Sequence, residues 1–105
     1  MKGEDWTIAQ SVAAWQIVAF CRDVCQELGL AMGNASWERG FNPHCTNAPY
    51  HLLVHTAVGV RDWWFTAEAI GEYPAPAVVA KVQRPIRAGL AGLAAAHAHL
   101  LPHRP

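Results

Sequence analysis

Two histidines and an aspartate near the middle of the chain are the residues best placed, by type and spacing, to do chemistry. His51 and His55 are four residues apart, and Asp62 follows seven residues after the second histidine. On a helix, this spacing brings all three side chains to nearly the same face. Imidazole is a common metal ligand and proton carrier, and a carboxylate can fix its tautomer. The three residues are therefore candidates for acid–base chemistry and weak candidates for metal binding; the alternative is that they lie at the solvent or interface margin of an amphipathic helix.

The cysteines offer a second arrangement of possible ligands. Cys21 and Cys25 are also four residues apart. On a neighbouring antiparallel helix they could complete a four-ligand zinc site with His51 and His55. The alternative is that they are buried free thiols, which behave as small hydrophobic groups. The histidine-rich C-terminal tail suits adventitious metal capture. We therefore predict that the protein has neither a dedicated metal site nor a cofactor.

Tryptophan is abundant, with five residues in a chain of 105. Its large contact area and its N–H donor suit apolar ligand sites and interfaces, as well as cores. Trp63 and Trp64 are adjacent, so their side chains must point to different sides of a helix. The candidate ligand-binding residues lie in this stretch and in the segment before it: Trp37, Phe41, Tyr50, His51, His55, Asp62, Trp63 and Trp64.

The segment WERGFNPH resembles the Arg-x4-6-His motif of the HEPN ribonucleases. Arg39 and His44 are separated by four residues. The resemblance implies a helical fold and RNA cleavage across a dimer interface, with these two residues at the active site. Gly40 after the arginine and Pro43 before the histidine depart from the family pattern.

The segment HTAVGVRDWW resembles the second helix of DinB-like metal-binding bundles, in which a histidine precedes a tryptophan-rich stretch. The resemblance implies a metal site that a later histidine pair completes, and only His99 and His103 have the spacing for that part. The members of that family are longer proteins. Since each of the two likenesses covers less than a quarter of the chain, neither assigns it to a family.

Hydrophobic spacing predicts three helices that would position these residues. The first runs from about Asp5 or Thr7 to Leu28, where Gly29 supplies a left-handed end. The second covers residues 48–70, and the third starts near residue 77 and ends at Pro102. Pro85 is expected to kink or split the third helix. The predicted inward-facing stripe of the second helix is Leu53, Val60, Trp63, Ala67 and Ile70.

The second helix has a competing interpretation. Residues 51–60, HLLVHTAVGV, are rich in β-branched side chains and could form a strand. We favour the helix because the apolar positions do not alternate and because DWWFTAEAI continues a helical pattern. Residues 29–47, rich in glycine, asparagine and proline, are predicted to form one long loop that has a helical turn near residues 35–39 or acts as a lid.

Composition limits the class of protein. Eight basic and eight acidic residues give a net charge of zero, which argues against generic nucleic-acid binding. With 52% hydrophobic and 15% charged residues, so small a chain is expected to bury apolar surface in a homodimer interface or a ligand cleft. Nothing has the length of a membrane span or the pattern of a secretion signal. An odd number of cysteines suggests free thiols in a reducing cytoplasm.

The sequence therefore predicts an all-α protein, a single helical domain over residues 1–105 that forms a three- to four-helix bundle and a homodimer. The favoured function is binding of a small apolar or aromatic ligand, or of a protein partner. The alternative is a histidine- or metal-dependent enzyme, either HEPN-like or DinB-like. A third possibility is a structural or inhibitory protein that acts by heteromeric contact. Catalysis is the less favoured class because the chain has no glycine-rich phosphate loop and no nucleophile motif.

Overall fold

The chain combines helices with an antiparallel sheet, so the predicted all-α bundle is wrong. A computed structural model describes residues 6–45, 47–70 and 76–100, without the side chains of residues 67, 68, 76–79, 99 and 100. The elements follow in the order α1 (Ile8–Leu28), β1 (Met32–Arg39), β2 (Tyr50–Thr56), β3 (Gly59–Phe65), α2 (Ala67–Ile70) and α3 (Pro76–Leu100). The three strands form one sheet in the order β1-β2-β3. The fold is therefore α+β.

Helix α1 matches its prediction because local hydrogen bonds define both of its ends. The Thr7 hydroxyl oxygen accepts from the Gln10 backbone N–H at 3.1 Å, and the Gln10 side chain accepts from the Thr7 N–H at 3.0 Å. This reciprocal pair is a capping box. Gly29 ends the helix with a φ of 72°, in the left-handed region. Helical spacing predicts a core stripe of Ile17, Cys21 (or Phe20), Val24 and Leu28; Ile17, Cys21 and Val24 are buried, and Phe20 and Leu28 are half-buried. Asp5 lies outside the described residues.

The predicted second helix over residues 48–70 is wrong, because most of it forms a β-hairpin. β2 and β3 pair antiparallel without a register shift. The turn between them consists of Ala57 and Val58. The Thr56 hydroxyl donates to the Gly59 carbonyl oxygen at 2.8 Å and accepts from the Val58 N–H at 3.2 Å. Gly59 has a φ of 150°, which glycine adopts at little cost.

β2 is the central strand, and its side chains alternate between two faces of the sheet. Tyr50, Leu52 and Val54 are buried on the face that packs against the helices. His51, Leu53 and His55 point to the opposite face, which we call the open face. The strand interpretation of residues 51–60 is therefore the better one, although the span contains the end of β2, a turn and the start of β3. Because Leu53 is apolar on the open face, the alternation does not show in the hydrophobic pattern.

The predicted inward stripe of the second helix is divided between the two faces. Leu53 and Val60 lie on the open face, and Val60 is 45% exposed. Trp63 and Ile70 do pack in the core. A helical stripe places every third or fourth residue on one side, whereas a strand sends every second residue there. The prediction therefore failed at Leu53 and Val60, where the two periods disagree.

The predicted loop over residues 29–47 contains an edge strand, so the loop is much shorter than expected. β1 pairs antiparallel with β2, with an irregularity between Met32 and Ala35. Its sequence, MGNASWER, contains few strand-forming residues, and residues 35–39 are extended rather than a helical turn. The strand exists because β2 offers it a hydrogen-bonding edge. This partner is remote in sequence, so the local pattern does not reveal it.

A buried asparagine organises the connection between β1 and β2. The Asn42 side chain is 4% exposed. Its amide nitrogen donates to the Ala48 carbonyl oxygen at 3.1 Å, and its carbonyl oxygen accepts from the His44 N–H at 2.9 Å. The N–H of Gly40 donates to the Pro49 carbonyl oxygen at 3.0 Å and extends the strand pairing. These bonds join the two ends of the connection and hold its described residues in place.

Helices α1 and α3 cover one face of the sheet and share its core. The fully buried side chains include Leu52 from β2, Val24 from α1 and Ile86 and Leu90 from α3. Truncating any of these large aliphatic residues to alanine is expected to cost about 2–5 kcal/mol. At the surface, α1 and α3 are linked by an ion pair of 2.7 Å between Glu27 and Arg87. Among the described residues, no helix has the length and apolarity that a membrane crossing requires.

Helix α3 continues through Pro85, so the predicted division of the helix at this residue is wrong. Helical spacing predicts one stripe along this helix. Three of its positions are buried, Ile86, Leu90 and Leu93. Val82 and His97 are half-buried, and the side chains of Val79 and Leu100 are not described. The predicted end at Pro102 lies outside the described residues. A different feature interrupts the surface of the helix: a Cβ added at Gly89 would lie 3.0 Å from Cζ2 of Trp63.

Trp63 is fixed against α3, because its indole N–H donates to the Pro85 carbonyl oxygen at 3.2 Å. The aromatic ring lies over Gly89, where a side chain would collide with it. Gly92 is in the same helix, yet a Cβ added there would meet nothing within 4 Å. The two glycines therefore have the same backbone role and different surroundings.

We expect Gly92→Ala to raise the free energy of unfolding by about 0.5–1 kcal/mol, because alanine has the higher helix propensity. Gly89→Ala should bring no such gain, since its methyl group must displace the Trp63 ring. Urea unfolding of the two variants and the parent protein measures the difference. An equal stabilisation at both positions would contradict the close packing of Trp63 on Gly89.

Candidate functional site

The structure distributes the predicted site residues over two faces of the sheet. Trp37, Tyr50 and Trp63 lie on the face that packs against the helices. His51, His55, Asp62 and Trp64 lie on the open face. Phe41 belongs to the connection between β1 and β2 and is 78% exposed. The predicted second helix and long loop that were to carry these residues are therefore replaced by the three strands and their connections.

On the open face, His51 is held by its neighbours on β3. Its ring stacks on Trp64 with centroids 4.0 Å apart and planes 4° from parallel. Its Nε2–H donates to Oδ2 of Asp62 at 2.6 Å. Strand pairing explains both contacts: Trp64 is the direct partner of His51, and Asp62 is its diagonal neighbour. The predicted helix that was to put His51 and Asp62 on one face is wrong, and the two residues meet instead as neighbours across the β2–β3 hairpin.

The imidazole of His51 is oriented but largely covered. Its side chain is 15% exposed, and Asp62 occupies Nε2. On the other side, the Glu38 carboxylate from β1 lies 4.0 Å from Nδ1. Both ring nitrogens therefore face carboxylates, and one ring face is stacked. This geometry suits a structural pair better than a base presented to a substrate.

His51 and His55 cannot act together as the prediction required. Four residues along a strand span about 13 Å, whereas the same spacing on a helix brings side chains within about 6 Å. Within the described parts of the chain, no three His, Cys, Asp or Glu side chains come together in a group that could hold a metal ion. The predicted stripe of two histidines and Asp62 is therefore reduced to the His51–Asp62 pair.

The cysteines and histidines of the hypothetical zinc site lie on opposite sides of the sheet. Cys21 and Cys25 are fully buried in the core, whereas the two histidines lie on the open face. Burial, together with a smaller contribution from the neighbouring Cys25 thiol, raises the pKa of the Cys21 thiol to about 12. Burial also raises the pKa of Cys25. Both are therefore protonated core residues near neutral pH, as the alternative interpretation held.

The segments behind the two family resemblances are not helical. Arg39 ends β1, where its guanidinium lies 5.5 Å from the ring centre of Tyr50, and His44 lies in the connection that follows. The segment HTAVGVRDWW is the β2–β3 hairpin. His99 belongs to α3 but its side chain is not described, and His103 lies outside the described residues. The helical setting that both resemblances implied is therefore wrong.

A groove between α1 and β1 is a candidate ligand site. It has a volume of about 370 Å³ and is mainly apolar. Its lining, which we call the tryptophan groove, consists of Trp6, Ser11, Ala14, Trp15, Val18, Ala35 and Trp37. Alternation along β1 explains why Ala35 and Trp37 reach it: they pair with Val54 and Leu52, whose side chains also point to the helices.

The aromatic wall of the groove is held by edge contacts. Trp6 lies edge-on to Trp37 at 5.8 Å and to Tyr50 at 5.6 Å. Trp37 in turn packs on Phe65 at 5.2 Å. The side-chain amide of Gln10 donates to the Tyr50 hydroxyl oxygen at 3.2 Å. Aromatic pairs in this geometry add about 0.5–1.5 kcal/mol each beyond their buried area, so the wall is well braced.

Two donors at the tryptophan groove have no acceptor. The indole nitrogens of Trp6 and Trp37 are buried and make no hydrogen bond, a property shared by no other side-chain nitrogen or oxygen in the described part of the chain. Leaving a buried donor unpaired costs about 1–3 kcal/mol. The contrast is Trp63, whose indole N–H is bonded to Pro85. Both unpaired donors belong to side chains that line the same apolar groove.

The predicted ligand-binding residues include only one member of this groove, Trp37. Trp6 and Trp15 were counted among the tryptophans but were not assigned to the site. A signal was available for Trp15, because Ile8, Val12 and Trp15 form a second apolar stripe on α1, separate from its core stripe. No local signal shows that Trp6 meets Trp37, since that contact depends on how α1 packs on the sheet.

We expect His51→Ala to lower the free energy of unfolding by about 1–2 kcal/mol, because it removes the stack on Trp64 and the bond to Asp62. His55→Ala is the matched control: it removes the same type of side chain from an exposed position of the same strand and should change stability by less than about 0.5 kcal/mol. Chemical denaturation measures both. Equal effects would show that the His51 cluster adds nothing to the open face.

We expect one fast and two slow thiols in a labelling experiment with an aromatic disulfide reagent at mildly alkaline pH. Cys45 is exposed, whereas Cys21 and Cys25 are buried. The thiolate is the reactive form, and burial raises the pKa of the Cys21 thiol to about 12. Cys45→Ser should abolish the fast phase, and denaturant should release the other two thiols. A second fast thiol in the folded protein would contradict the buried positions.

We compared the chain with protein families, curated proteins and solved structures. No family model matches the chain, no curated protein matches it, and no solved structure matches it.

Proposed function

We propose that the protein binds a small, flat, apolar or aromatic molecule that carries a hydrogen-bond acceptor, and that it does so in the tryptophan groove. The observation that supports this most is the pair of unpartnered indole N–H groups, on Trp6 and Trp37, at an apolar groove of about 370 Å³. Ligand sites have this character: mostly apolar walls, a few hundred Å³ of space and a small number of placed polar groups.

The chemistry of the lining favours binding over catalysis. Apart from the Ser11 hydroxyl and the indole N–H groups, the side chains of the groove are apolar, and none of them is titratable. The His51–Asp62 pair lies across the sheet from Trp37, on the open face. A ligand in the groove would therefore be remote from the residues of the histidine-dependent alternative. Aromatic faces would hold such a ligand by stacking, and the two donors would select its orientation.

The compartment proposed for this activity is a reducing one, such as the cytoplasm. All three cysteines are free thiols. Free thiols persist where cellular reductants keep them reduced.

A pair of probes tests the proposal: 2-acetylnaphthalene, whose carbonyl oxygen is an acceptor, and 2-isopropenylnaphthalene, in which a CH2 group replaces that oxygen. We expect the acetyl probe to bind about fivefold more tightly, the value of one net hydrogen bond of about 1 kcal/mol. In a proton–nitrogen correlation spectrum, the indole N–H signals of Trp6 and Trp37 should move with the acetyl probe. The Trp63 signal is the internal control, since its N–H is already bonded.

Two variants make the same chemical change on opposite faces of the sheet. Trp37→Phe keeps an aromatic ring in the groove but removes one donor, so it should abolish or reduce the preference for the acetyl probe. Trp64→Phe makes the same change on the open face and should leave binding as it is. The proposal fails if neither groove indole signal responds to the acetyl probe, or if both variants change binding equally.

A further inference from the structure

Helix α1 carries an exposed apolar surface beside the tryptophan groove. Ile8, Val12 and Trp15 are 85%, 50% and 66% exposed, and their spacing of four and three residues puts them on one side of the helix. We call these three residues the α1 stripe. The remaining large hydrophobic residues that are exposed in the described chain, Phe41 and Val60, are isolated from it in sequence and lie on other elements.

The α1 stripe borders a second depression. This depression has a volume of about 520 Å³, and its lining includes all three stripe residues together with Trp6, Ser11, Gln16 and Ala19. Trp6, Ser11 and Trp15 line the tryptophan groove as well. The two hollows are therefore neighbours on one apolar surface, with Trp15 as a wall of both.

We propose that the α1 stripe is the surface through which two copies of this chain associate, and that the second copy covers the open side of the tryptophan groove. The first clause is independent of ligand binding, whereas the second rests on the proposed function. In this dimer, the projecting Trp15 of each copy enters the depression beside the stripe of the other. Tryptophan is the residue type most often found as such an anchor.

Charge argues for a second copy as the occupant. Residues 7–21, which make up the first two thirds of α1 and its cap, contain no charged residue. A two-fold interface brings a surface against itself, so a charge near the two-fold axis would meet its own copy. An uncharged surface avoids this repulsion, and the net charge of zero removes long-range repulsion between copies. A partner that docked by complementary charge would find no charged side chain on this stretch to engage.

The open face is the competing surface, and the same reasoning disfavours it. Val60 is 45% exposed there, but it shares the face with Glu38 and Asp62, whose side chains are 65% and 53% exposed. A two-fold contact across this face would bring carboxylates of the two copies together. The α1 stripe has a larger apolar exposure and no such penalty.

Closure by the second copy links dimerisation to ligand binding. Trp15 is 66% exposed and forms one wall of the tryptophan groove. Covering this side chain would convert an open groove into an enclosed site, in which the ligand loses contact with water. By linkage, a ligand that binds the dimer more tightly must also favour dimer formation by the same factor.

Sedimentation equilibrium of the full chain, from micromolar to millimolar concentration, tests the interface. We expect twice the mass of one chain for the parent protein. Val12→Glu should weaken dimerisation at least about tenfold, because it places a charge on the stripe of both copies. Val60→Glu is the matched control: it makes the same change at similar exposure on the open face and should leave the dimer intact. Ile8→Glu serves as a second stripe variant, and circular dichroism checks that each variant is folded.

Three results would overturn the interface: a monomeric parent protein throughout this range, a Val60→Glu effect as large as that of Val12→Glu, or a stoichiometric complex with a different protein in place of the dimer. Val12 does not line the tryptophan groove, so its variant also tests closure. We expect 2-acetylnaphthalene to bind the monomeric Val12→Glu protein about tenfold more weakly than it binds the parent dimer.

Failure of the two proposals can be told apart. If Val12→Glu dissociates the dimer and the probe binds equally well, covering of the groove is wrong while the interface and the proposed function stand. If the parent protein dimerises through the stripe but neither form shifts the Trp6 and Trp37 indole signals, the proposed function fails and the interface stands.

Discussion

The alternation of side chains along the central strand β2 is the constraint on which the rest of the structure depends. β2 has a partner strand on each side. Its register therefore determines which side chains of β1 and β3 point to the core and which point to the open face. Leu52 and Val54 enter the core at 0% exposure, and His51 turns to the other side. A shift by one residue would exchange these sets, burying imidazoles under the helices and exposing aliphatic side chains to water. The cost of that exchange holds the register in place.

The same alternation sorts the aromatic residues into two environments. Trp37 and Trp63 follow the core face of β2 into contact with the helices, and Trp64 follows His51 to the open face. The consequence for function is a separation: the titratable pair and the apolar groove lie on opposite sides of one sheet. Trp63 satisfies its donor on α3, whereas Trp37 reaches a groove where its donor has no partner.

Helix α1 has one side in the core and another exposed to solvent. Its core side, with Ile17, Cys21 and Val24, packs on the sheet, and the α1 stripe stays exposed. Exposed apolar area costs about 25 cal/mol per Å² relative to burial, so an uncharged stripe of this kind favours association. The helix thus has three roles: it covers the core, forms one wall of the tryptophan groove and carries the proposed dimer surface.

The sequence by itself determined the elements whose hydrogen bonds are local. It placed α1 between Thr7 and Gly29 and the core positions of α3, and it identified Trp37 and the His51–Asp62 pair as candidates. It could not determine the conformation of residues 50–65 or of β1, because a strand has no internal hydrogen bonds and depends on a partner strand elsewhere in the chain. Only the tertiary structure decided that the hairpin forms, that His51 and His55 lie far apart, and that Trp6 contacts Trp37. Each of these features depends on the pairing or packing of segments that are separate in the sequence.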